Sequence, residues 1–226
     1  MPKKARTERR RAKKKTTCSD LSKRVKVCTA CRLSKTRTRA VPAEGTHKAK
    51  VMFVGIGPGR QEDEAGRPFV GQSGKWFDRS LKRIGLTREE VWVTNLVKCR
   101  PFEGRRNRDP RANELAACAA HLDAEFELVK PNVVVPLGNI PLKHLLGLDG
   151  ITKKRGMCFF KEDDPEVVYF PLLHPAVLVR DKDGNLDEYG VDLRNLRRLL
   201  ARLGIGKYGK KVREQRKAGS AGKSAC

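Results

Sequence analysis

The sequence has no long apolar segment and few aromatic residues. Of its 226 residues, 38% are hydrophobic and 6% are aromatic, which suffices for one core. No apolar run approaches the roughly 20 residues that a membrane-spanning helix needs. The first residues are charged and no apolar stretch follows them, so we expect no secretory signal. These absences exclude an integral membrane protein and predict a cytoplasmic one.

Acidic residues are also scarce. The chain has 26 Asp and Glu against 50 Lys and Arg, a formal net charge of +24, and its isoelectric point is about 10.2. A protein this basic is expected to bind a polyanion; nucleic acid is the first candidate and an anionic membrane surface the second. Much of the excess lies near the two ends. We therefore predict a disordered basic arm at residues 1–24, a folded domain at 25–206 and a basic tail at 207–226.

The seven cysteines occur without the export signal that usually accompanies a disulfide framework, so a metal or cluster site is the better interpretation. Cys28 and Cys31 form a C-x-x-C pair, Cys99 lies in the segment KCRP, and Cys118 falls on a predicted helix. The other three cysteines have no comparable neighbours.

Apolar segments typical of strands alternate with amphipathic helices along the middle of the chain. We predict strands at residues 50–56, 91–97, 133–137 and 167–173. We predict helices at residues 73–84, 111–129, 140–146 and 193–203, and an irregular segment with room for a hairpin at 151–165. Strands that are apolar throughout are typical of a parallel sheet covered by helices on both faces, so the predicted fold class is α/β.

Three features follow predicted strands. The turn GIGPG and then Phe69 come after the first strand, Asn95 lies at the end of the second, and His174 follows the fourth. Each residue alone also fits a structural role, in a turn, a core or a cap. Because the carboxyl ends of parallel strands share one edge, these loops are expected to meet there. An aromatic ring, an amide and an imidazole together suit a flat heterocycle.

Four motifs in this order give the chain a family resemblance. The segments GIGPGRQED, GRPFVGQSG, TNLVKCRP with NRDP, and HPAVLVR resemble those of the family 4 uracil-DNA glycosylases of bacteria and archaea. The similarity covers about residues 25–203, with the cysteines interleaved. It implies a three-layer α/β/α fold with a four-stranded parallel sheet, a prokaryotic cytoplasmic enzyme and a four-iron, four-sulfur cluster.

The resemblance assigns the cluster ligands to four cysteines, namely Cys28, Cys31, Cys99 and Cys118. Four thiolates also fit structural zinc, and the residues alone leave the two open, while the resemblance favours iron–sulfur. The cluster is expected to hold a DNA-facing loop rather than to carry out redox chemistry. Cys158 falls outside the pattern and is predicted to be a buried thiol.

The resemblance also gives roles to the pocket residues. Phe69 is expected to stack on the extruded uracil, Asn95 to read the base edge and exclude cytosine, and His174 to stabilise the charge that develops on uracil O2. The turn expected to line the pocket through its backbone consists of Ile56, Gly57 and Pro58.

Two departures from the family pattern affect the chemistry and the DNA contacts. Ile56 stands where the family often has Glu, and the nearest carboxylates are Glu62 and Asp63. We include Asp63 among the predicted catalytic residues. Activity is expected even without a strong base, because in a dissociative reaction the bond to the base breaks before water adds to the sugar. The loop KCRPFEGRRNRDP is longer than usual, which should change the DNA contacts. The residues predicted to bind DNA phosphates are Arg100, Arg105, Arg106, Arg108 and Arg180.

The sequence thus predicts a monofunctional glycosylase that removes uracil from double- or single-stranded DNA and leaves an abasic site, since no lysine in the motifs is a Schiff-base candidate. We expect a monomer with no membrane partner. Two alternatives stay open. One is a non-catalytic iron–sulfur protein of the same fold that binds nucleic acid, and the other is a glycosylase for another deaminated base such as hypoxanthine.

Overall fold

The computed structural model describes residues 16–179 and 185–209. Its strands are β1 (Glu44–Gly45), β2 (Val51–Gly55), β3 (Trp92–Asn95), β4 (Phe102–Glu103), β5 (Arg106–Asn107), β6 (Val133–Pro136), β7 (Phe159–Lys161) and β8 (Asp164–Tyr169). Its helices are α1 (Cys18–Val27), α2 (Arg60–Ala65), α3 (Gln72–Ile84), α4 (Ala112–Val129), α5 (Asn139–Leu146), α6 (Ile151–Lys154), α7 (Pro175–Val179) and α8 (Asn185–Arg202). Short 3₁₀ segments span Arg32–Lys35 and Arg88–Glu90.

The main sheet has the strand order β1-β3-β2-β6-β8-β7. Strand β2 pairs in parallel with β3 and β6, and β6 pairs in parallel with β8, so the predicted four-stranded parallel sheet is confirmed. Strands β1 and β7 add short antiparallel edges. Strands β7 and β8 form a hairpin that begins in the segment predicted to be irregular, and β4 and β5 form a separate small hairpin.

The central strands are buried on both faces because helices cover each side. In β2, every residue is buried, and alternate side chains belong to different cores. Phe53 packs in the cluster that contains Phe77 of α3 and Leu196 of α8. Met52 packs in the opposite cluster, with Leu122 of α4. This arrangement confirms the predicted three-layer α/β/α fold.

Helix α1 crosses the predicted boundary between the arm and the domain. Thr17 caps it in a capping box with Asp20, and Val25 is buried against Cys118 of α4. The prediction of a disordered arm is therefore wrong for residues 18–24, while residues 1–15 lie outside the described residues.

The folded domain also extends past residue 206, where we expected the basic tail to begin. The Lys207 backbone N–H donates to the Gly85 carbonyl at 3.2 Å, and the guanidinium of Arg197 lies 5.0 Å from the centre of the Tyr208 ring. Within the described part of the chain, no helix has the length and apolar character needed to cross a bilayer.

Candidate active site

A cavity of about 140 Å³ opens at the carboxyl ends of β2 and β3. It is lined by Gly57, Gly59, Glu62, Phe69, Ser73, Asn95, Asn107, His174 and Ala176. The three loops that follow the first, second and fourth parallel strands therefore do converge. Of the predicted pocket residues, the structure brings together Gly57, Phe69, Asn95 and His174.

The loop that carries Phe69 is held in a strained conformation. Phe69 has φ 52°, a left-handed value that non-glycine residues rarely adopt. Arg88 secures the loop by donating to the carbonyl of Pro68 at 3.1 Å and to that of Phe69. Gly74 allows the close approach, because a β-carbon there would lie 1.9 Å from the Phe69 carbonyl oxygen. The centre of the Phe69 ring lies 5.8 Å from that of the His174 ring, and the two ring planes are tilted by 31°.

Asn95 ends β3 and is 3% exposed. In the parallel ladder it pairs with Gly55, the last residue of β2. A β-carbon on Gly55 would lie 2.3 Å from Asn95 Oδ1 and 2.8 Å from Phe69 Cζ. Only glycine at this point leaves room for the amide and the ring to share the floor of the cavity. The amide offers a carbonyl oxygen as acceptor and an NH2 group as donor to a ligand in the cavity.

His174 follows β8 and presents a defined tautomer. The Ala176 backbone N–H donates to Nδ1 at 3.1 Å, so the proton of the neutral ring is on Nε2. Burial lowers the pKa of His174 to about 4, which leaves the ring neutral at pH 7. The site therefore has a neutral N–H donor beside the aromatic ring.

Glu62 is the carboxylate at the cavity. Its Oε1 accepts hydrogen bonds from the backbone N–H groups of Val70, at 3.1 Å, and Gly71, at 2.8 Å. Its Oε2 packs against Gly59, where a β-carbon would lie 2.6 Å away. Two backbone donors thus hold one oxygen, and the other lies beside a residue that also lines the cavity.

Asp63 is turned away from the cavity, which contradicts the catalytic role we predicted for it. Its side chain is 4% exposed, and it accepts hydrogen bonds from the backbone N–H of Thr38, at 3.0 and 3.1 Å, and of Arg39, at 3.4 Å. Successive residues of a helix point about 100° apart, so Glu62 and Asp63 cannot both face the site. Asp63 instead fixes the segment that precedes β1.

The turn after β2 contributes to the cavity through its glycines. Ile56 and Pro58, which we also expected to line it, are not among the lining residues. The Ile56 carbonyl accepts from the Val97 N–H at 3.2 Å, which draws the turn toward the end of β3. Pro58 is buried.

Three further residues that line the cavity were not predicted to do so, namely Ser73, Asn107 and Ala176. Gly59 was named only as part of the GIGPG turn. Ser73 lies in the first turn of α3, directly after the Phe69 loop. Asn107 belongs to β5, in the arginine-rich loop that we associated only with DNA contacts. That loop's unusual length was the signal that could have pointed to Asn107.

The predicted phosphate-binding arginines differ in their surroundings. Arg105 and Arg106 are exposed in the β4–β5 hairpin. Arg100 donates to Asn107 Oδ1 at 2.7 Å. Arg108 pairs through both terminal nitrogens with Glu114, at 2.7 and 2.8 Å, and is only 16% exposed, so its position contradicts a phosphate-binding role. Arg180 lies outside the described residues.

The four cysteines predicted as ligands line a second, mainly apolar cavity between α1, the end of β3 and α4. Arg37 Nη1 donates to Cys99 Sγ at 3.0 Å, and the Lys98 N–H lies 3.3 Å from Cys118 Sγ. Burial raises the pKa of the Cys118 thiol to about 11 and that of Cys99 above its usual value. Among the described residues, no group of three or more His, Cys, Asp or Glu is arranged to hold a single metal ion. The donor set, four sulfurs with N–H groups directed at two of them, fits an iron–sulfur cluster.

Cys158 lies outside this group, as predicted, but it is exposed. The prediction that it is a buried thiol is wrong. It immediately precedes β7, the strand at one edge of the main sheet.

The protein is of the α/β/α class, and its mainly parallel sheet holds an aromatic ring, an amide and a neutral imidazole around one cavity at its carboxyl edge. That edge is where open α/β sheets bind their ligands. Residues 42–197 match the family described as the Uracil DNA glycosylase superfamily, and the chain belongs to that superfamily.

Its relatives narrow this assignment to the type-4 group. The chain is 44% identical over 156 residues to the type-4 uracil-DNA glycosylase of Sulfurisphaera tokodaii, which covers 66% of this chain and 70% of the relative. It is 41% identical over 170 residues to the type-4 uracil-DNA glycosylase of Thermotoga maritima, with coverages of 74% and 85%. A type-5 uracil-DNA glycosylase of Pyrobaculum aerophilum is 32% identical over 129 residues, with coverages of 50% and 55%. These matches confirm the resemblance to family 4.

Proposed function

We propose that the protein is a monofunctional uracil-DNA glycosylase of DNA repair, which flips uracil out of DNA and hydrolyses its N-glycosidic bond. The observation that carries this proposal is the meeting of Phe69, Asn95 and a neutral His174 around one cavity. The names of its type-4 relatives support the same activity. The product is DNA with an abasic site.

Base recognition rests on Phe69 and Asn95. The extruded base stacks on the Phe69 ring, and the Asn95 amide pairs with its edge. Uracil presents an N3–H donor and an O4 acceptor, whereas cytosine presents an acceptor and a donor at the same positions. An amide in a single orientation matches only one of these patterns. Cytosine would leave two buried polar groups unsatisfied, which is the basis of its exclusion.

Bond cleavage rests on His174. As the bond to the sugar breaks, negative charge develops on the base, and O2 carries part of it. The Nε2–H of the neutral imidazole donates to this oxygen, while the Ala176 N–H keeps the ring in the required tautomer. Removing one preorganised donor of this kind typically costs about 10²–10³ in rate.

We assign the handling of water to Glu62, because Ile56 cannot take that role and Asp63 is turned away. Glu62 orients a water molecule toward the cation-like sugar after the base has begun to leave. Val70 and Gly71 hold the carboxylate in place. Lys98, the lysine nearest to Asn95, has its ammonium group buried in hydrogen bonds, so it does not form a Schiff base and the DNA strand is not cut.

The thiol site is proposed to hold a four-iron, four-sulfur cluster on Cys28, Cys31, Cys99 and Cys118, with zinc as the alternative. When bound, the cluster supplies a cross-link between α1, the end of β3 and α4. Brown protein with absorption near 400 nm and about four iron atoms per chain is the expected result. Colourless protein that contains zinc would reject the iron assignment.

DNA is proposed to approach through the β4–β5 hairpin, where Arg105 and Arg106 are exposed to contact phosphates. Flipping is easiest from a mismatch or a single strand, so both double- and single-stranded uracil DNA are substrates. We propose that the protein acts as a monomer in the cytoplasm.

Labelled oligonucleotides test the activity. They carry U·G, U·A, single-stranded uracil, hypoxanthine or no lesion, and are treated with alkali after incubation. We expect alkali-labile product from every uracil substrate and none from the others. The variant His174→Ala should lose about 10²–10³ in rate, while His144→Ala, at an exposed histidine of α5, should not change it. DNA binding without any product would instead establish the non-catalytic alternative.

A further inference from the structure

Lys98 is buried directly beneath the end of β3, and its role is not explained by the reaction. Its side chain is 2% exposed, and its partner Glu125 is 1% exposed. The ammonium group donates to Thr94 Oγ1 at 2.6 Å, to the Asn95 carbonyl at 2.9 Å and to Glu125 Oε1 at 2.8 Å. All three N–H bonds of the lysine are thereby used.

These bonds tie β3 to α4. Glu125 belongs to α4 and also lies 3.5 Å from Trp92 Nε1 through its second oxygen. The backbone N–H of Lys98 lies 3.3 Å from Cys118 Sγ, on the same helix. The backbone carbonyl of Asn95 is therefore held by Lys98, while the Asn95 side chain lines the cavity. Lys98 itself is not among the residues that line the cavity.

A buried ion pair is a costly way to gain stability. Removing two charges from water carries a large penalty, and well-packed apolar residues of similar volume are often at least as stabilising. What a fully bonded ammonium does provide is one fixed geometry. Here the geometry it fixes is that of Thr94 and Asn95, the last two residues of the strand that carries the base-reading amide.

We propose that Lys98, held by Glu125, is the positioning residue of Asn95 and sets the selectivity for uracil over cytosine. This inference rests on the proposed function. Without the ammonium group, the Asn95 carbonyl loses its anchor, and the peptide can rotate. The amide then spends less time in the orientation that matches uracil, and a displacement of about 1 Å can cost about 100-fold in rate.

The test replaces the pair by apolar residues, Lys98→Met with Glu125→Leu, so that no unpaired charge is buried. Single-turnover excision of uracil should fall by about 10- to 100-fold, and the ratio of uracil to cytosine excision should fall with it. Affinity for DNA with an abasic site should be unchanged, because the phosphate contacts are intact. Thr94→Val removes one acceptor of the ammonium group and keeps the ion pair, so it should lower the excision rate and the uracil-to-cytosine ratio by a smaller factor. This variant replaces the double variant in the test if the double variant does not fold.

A double-mutant cycle separates positioning from general stability. In an Asn95→Ala background, the Lys98→Met with Glu125→Leu change should have little further effect, because the amide through which it acts is gone. Equal losses in the two backgrounds would overturn the proposal, as would folded variants that excise uracil at the full rate with unchanged selectivity. If the unmodified protein itself excised no uracil, the proposed function would fail, and the inference with it.

Discussion

Gly55→Ala is the sharpest perturbation of the cavity, because it adds a single carbon between Asn95 and Phe69, the two groups proposed to read the base. Side-chain β-carbons essentially never come within 3.0 Å of other heavy atoms, but this one would lie 2.3 Å from Asn95 Oδ1 and 2.8 Å from Phe69 Cζ. The differences from 3.0 Å, about 0.7 and 0.2 Å, are the smallest shifts that relieve the contacts. Since catalytic geometry tolerates about 0.5 Å, the amide is displaced beyond the tolerated range. We expect a rate loss of about 10- to 100-fold.

The assay is single-turnover excision from a U·G oligonucleotide, with the melting temperature and the affinity for abasic DNA measured on the same preparations. Overpacking at the end of a central strand should destabilise the protein by about 1–3 kcal/mol, so the rate is compared at a temperature where both proteins are folded. Gly190→Ala is the matched control. Its β-carbon, within α8, would approach only the ends of arginine side chains, at 3.7 Å or more.

Folded Gly55→Ala that excised uracil as fast as the unmodified protein would contradict this prediction. That result would mean that Asn95 and Phe69 do not occupy the space above Gly55 during the reaction. An equal rate loss in Gly190→Ala would also contradict the prediction, because it would indicate a general effect of adding a methyl group rather than displacement of the Asn95 amide.

Three further predictions concern the carboxylates, pH and salt. Glu62→Gln should slow excision by about 100-fold with little change in melting, whereas Asp63→Asn should cost about 1–3 kcal/mol of stability and leave the rate of the folded protein unchanged. The pKa of His174 is about 4 in the folded protein and about 6.5 unfolded, so the unfolded state binds more protons between these values. The rate of excision should therefore not depend on His174 ionisation from pH 8 to about 5. The free energy of unfolding should fall by up to about 3 kcal/mol as the pH drops from 6.5 to 4. Melting curves of His174→Gln should lack this pH dependence. Replacing Arg105 and Arg106 by alanine should weaken DNA binding and reduce the slope of log affinity against log salt by about 1.8, without changing base selectivity.

The sheet and the edge that carries the cavity were predictable because they follow from the apolar strands. Segments that are apolar throughout must be covered on both faces, and parallel strands bring their carboxyl ends together. These two rules place Phe69, Asn95 and His174 on one edge without any knowledge of contacts. The separation of these three residues along the chain does not by itself indicate that they meet, so each residue alone also fitted a structural role.

What the sequence could not give is the direction of neighbouring side chains on short elements. Glu62 and Asp63 are adjacent acids on a six-residue helix, and the helix alone does not say which one faces the cavity. The choice is made by the backbone N–H groups of Thr38 and Arg39, far away in sequence, which capture Asp63. Helix α1 is different, since Thr17 and Asp20 form a local capping signal that could have identified it.

The segment from Asn95 to Cys99 connects the cavity that Asn95 lines to the cavity lined by the four cysteines. Three residues separate Asn95, whose amide is proposed to read the base, from Cys99, a proposed cluster ligand. One of them, Lys98, donates to the Asn95 carbonyl, and its backbone N–H approaches Cys118 Sγ. Beyond Cys99 the chain enters the β4–β5 hairpin, which brings Asn107 back to the cavity. The proposed cluster, by fixing Cys99, would therefore restrain the cavity from two directions, through β3 and through the hairpin. Such a restraint needs no electron transfer, so the role proposed for the cluster is to support the geometry of the cavity.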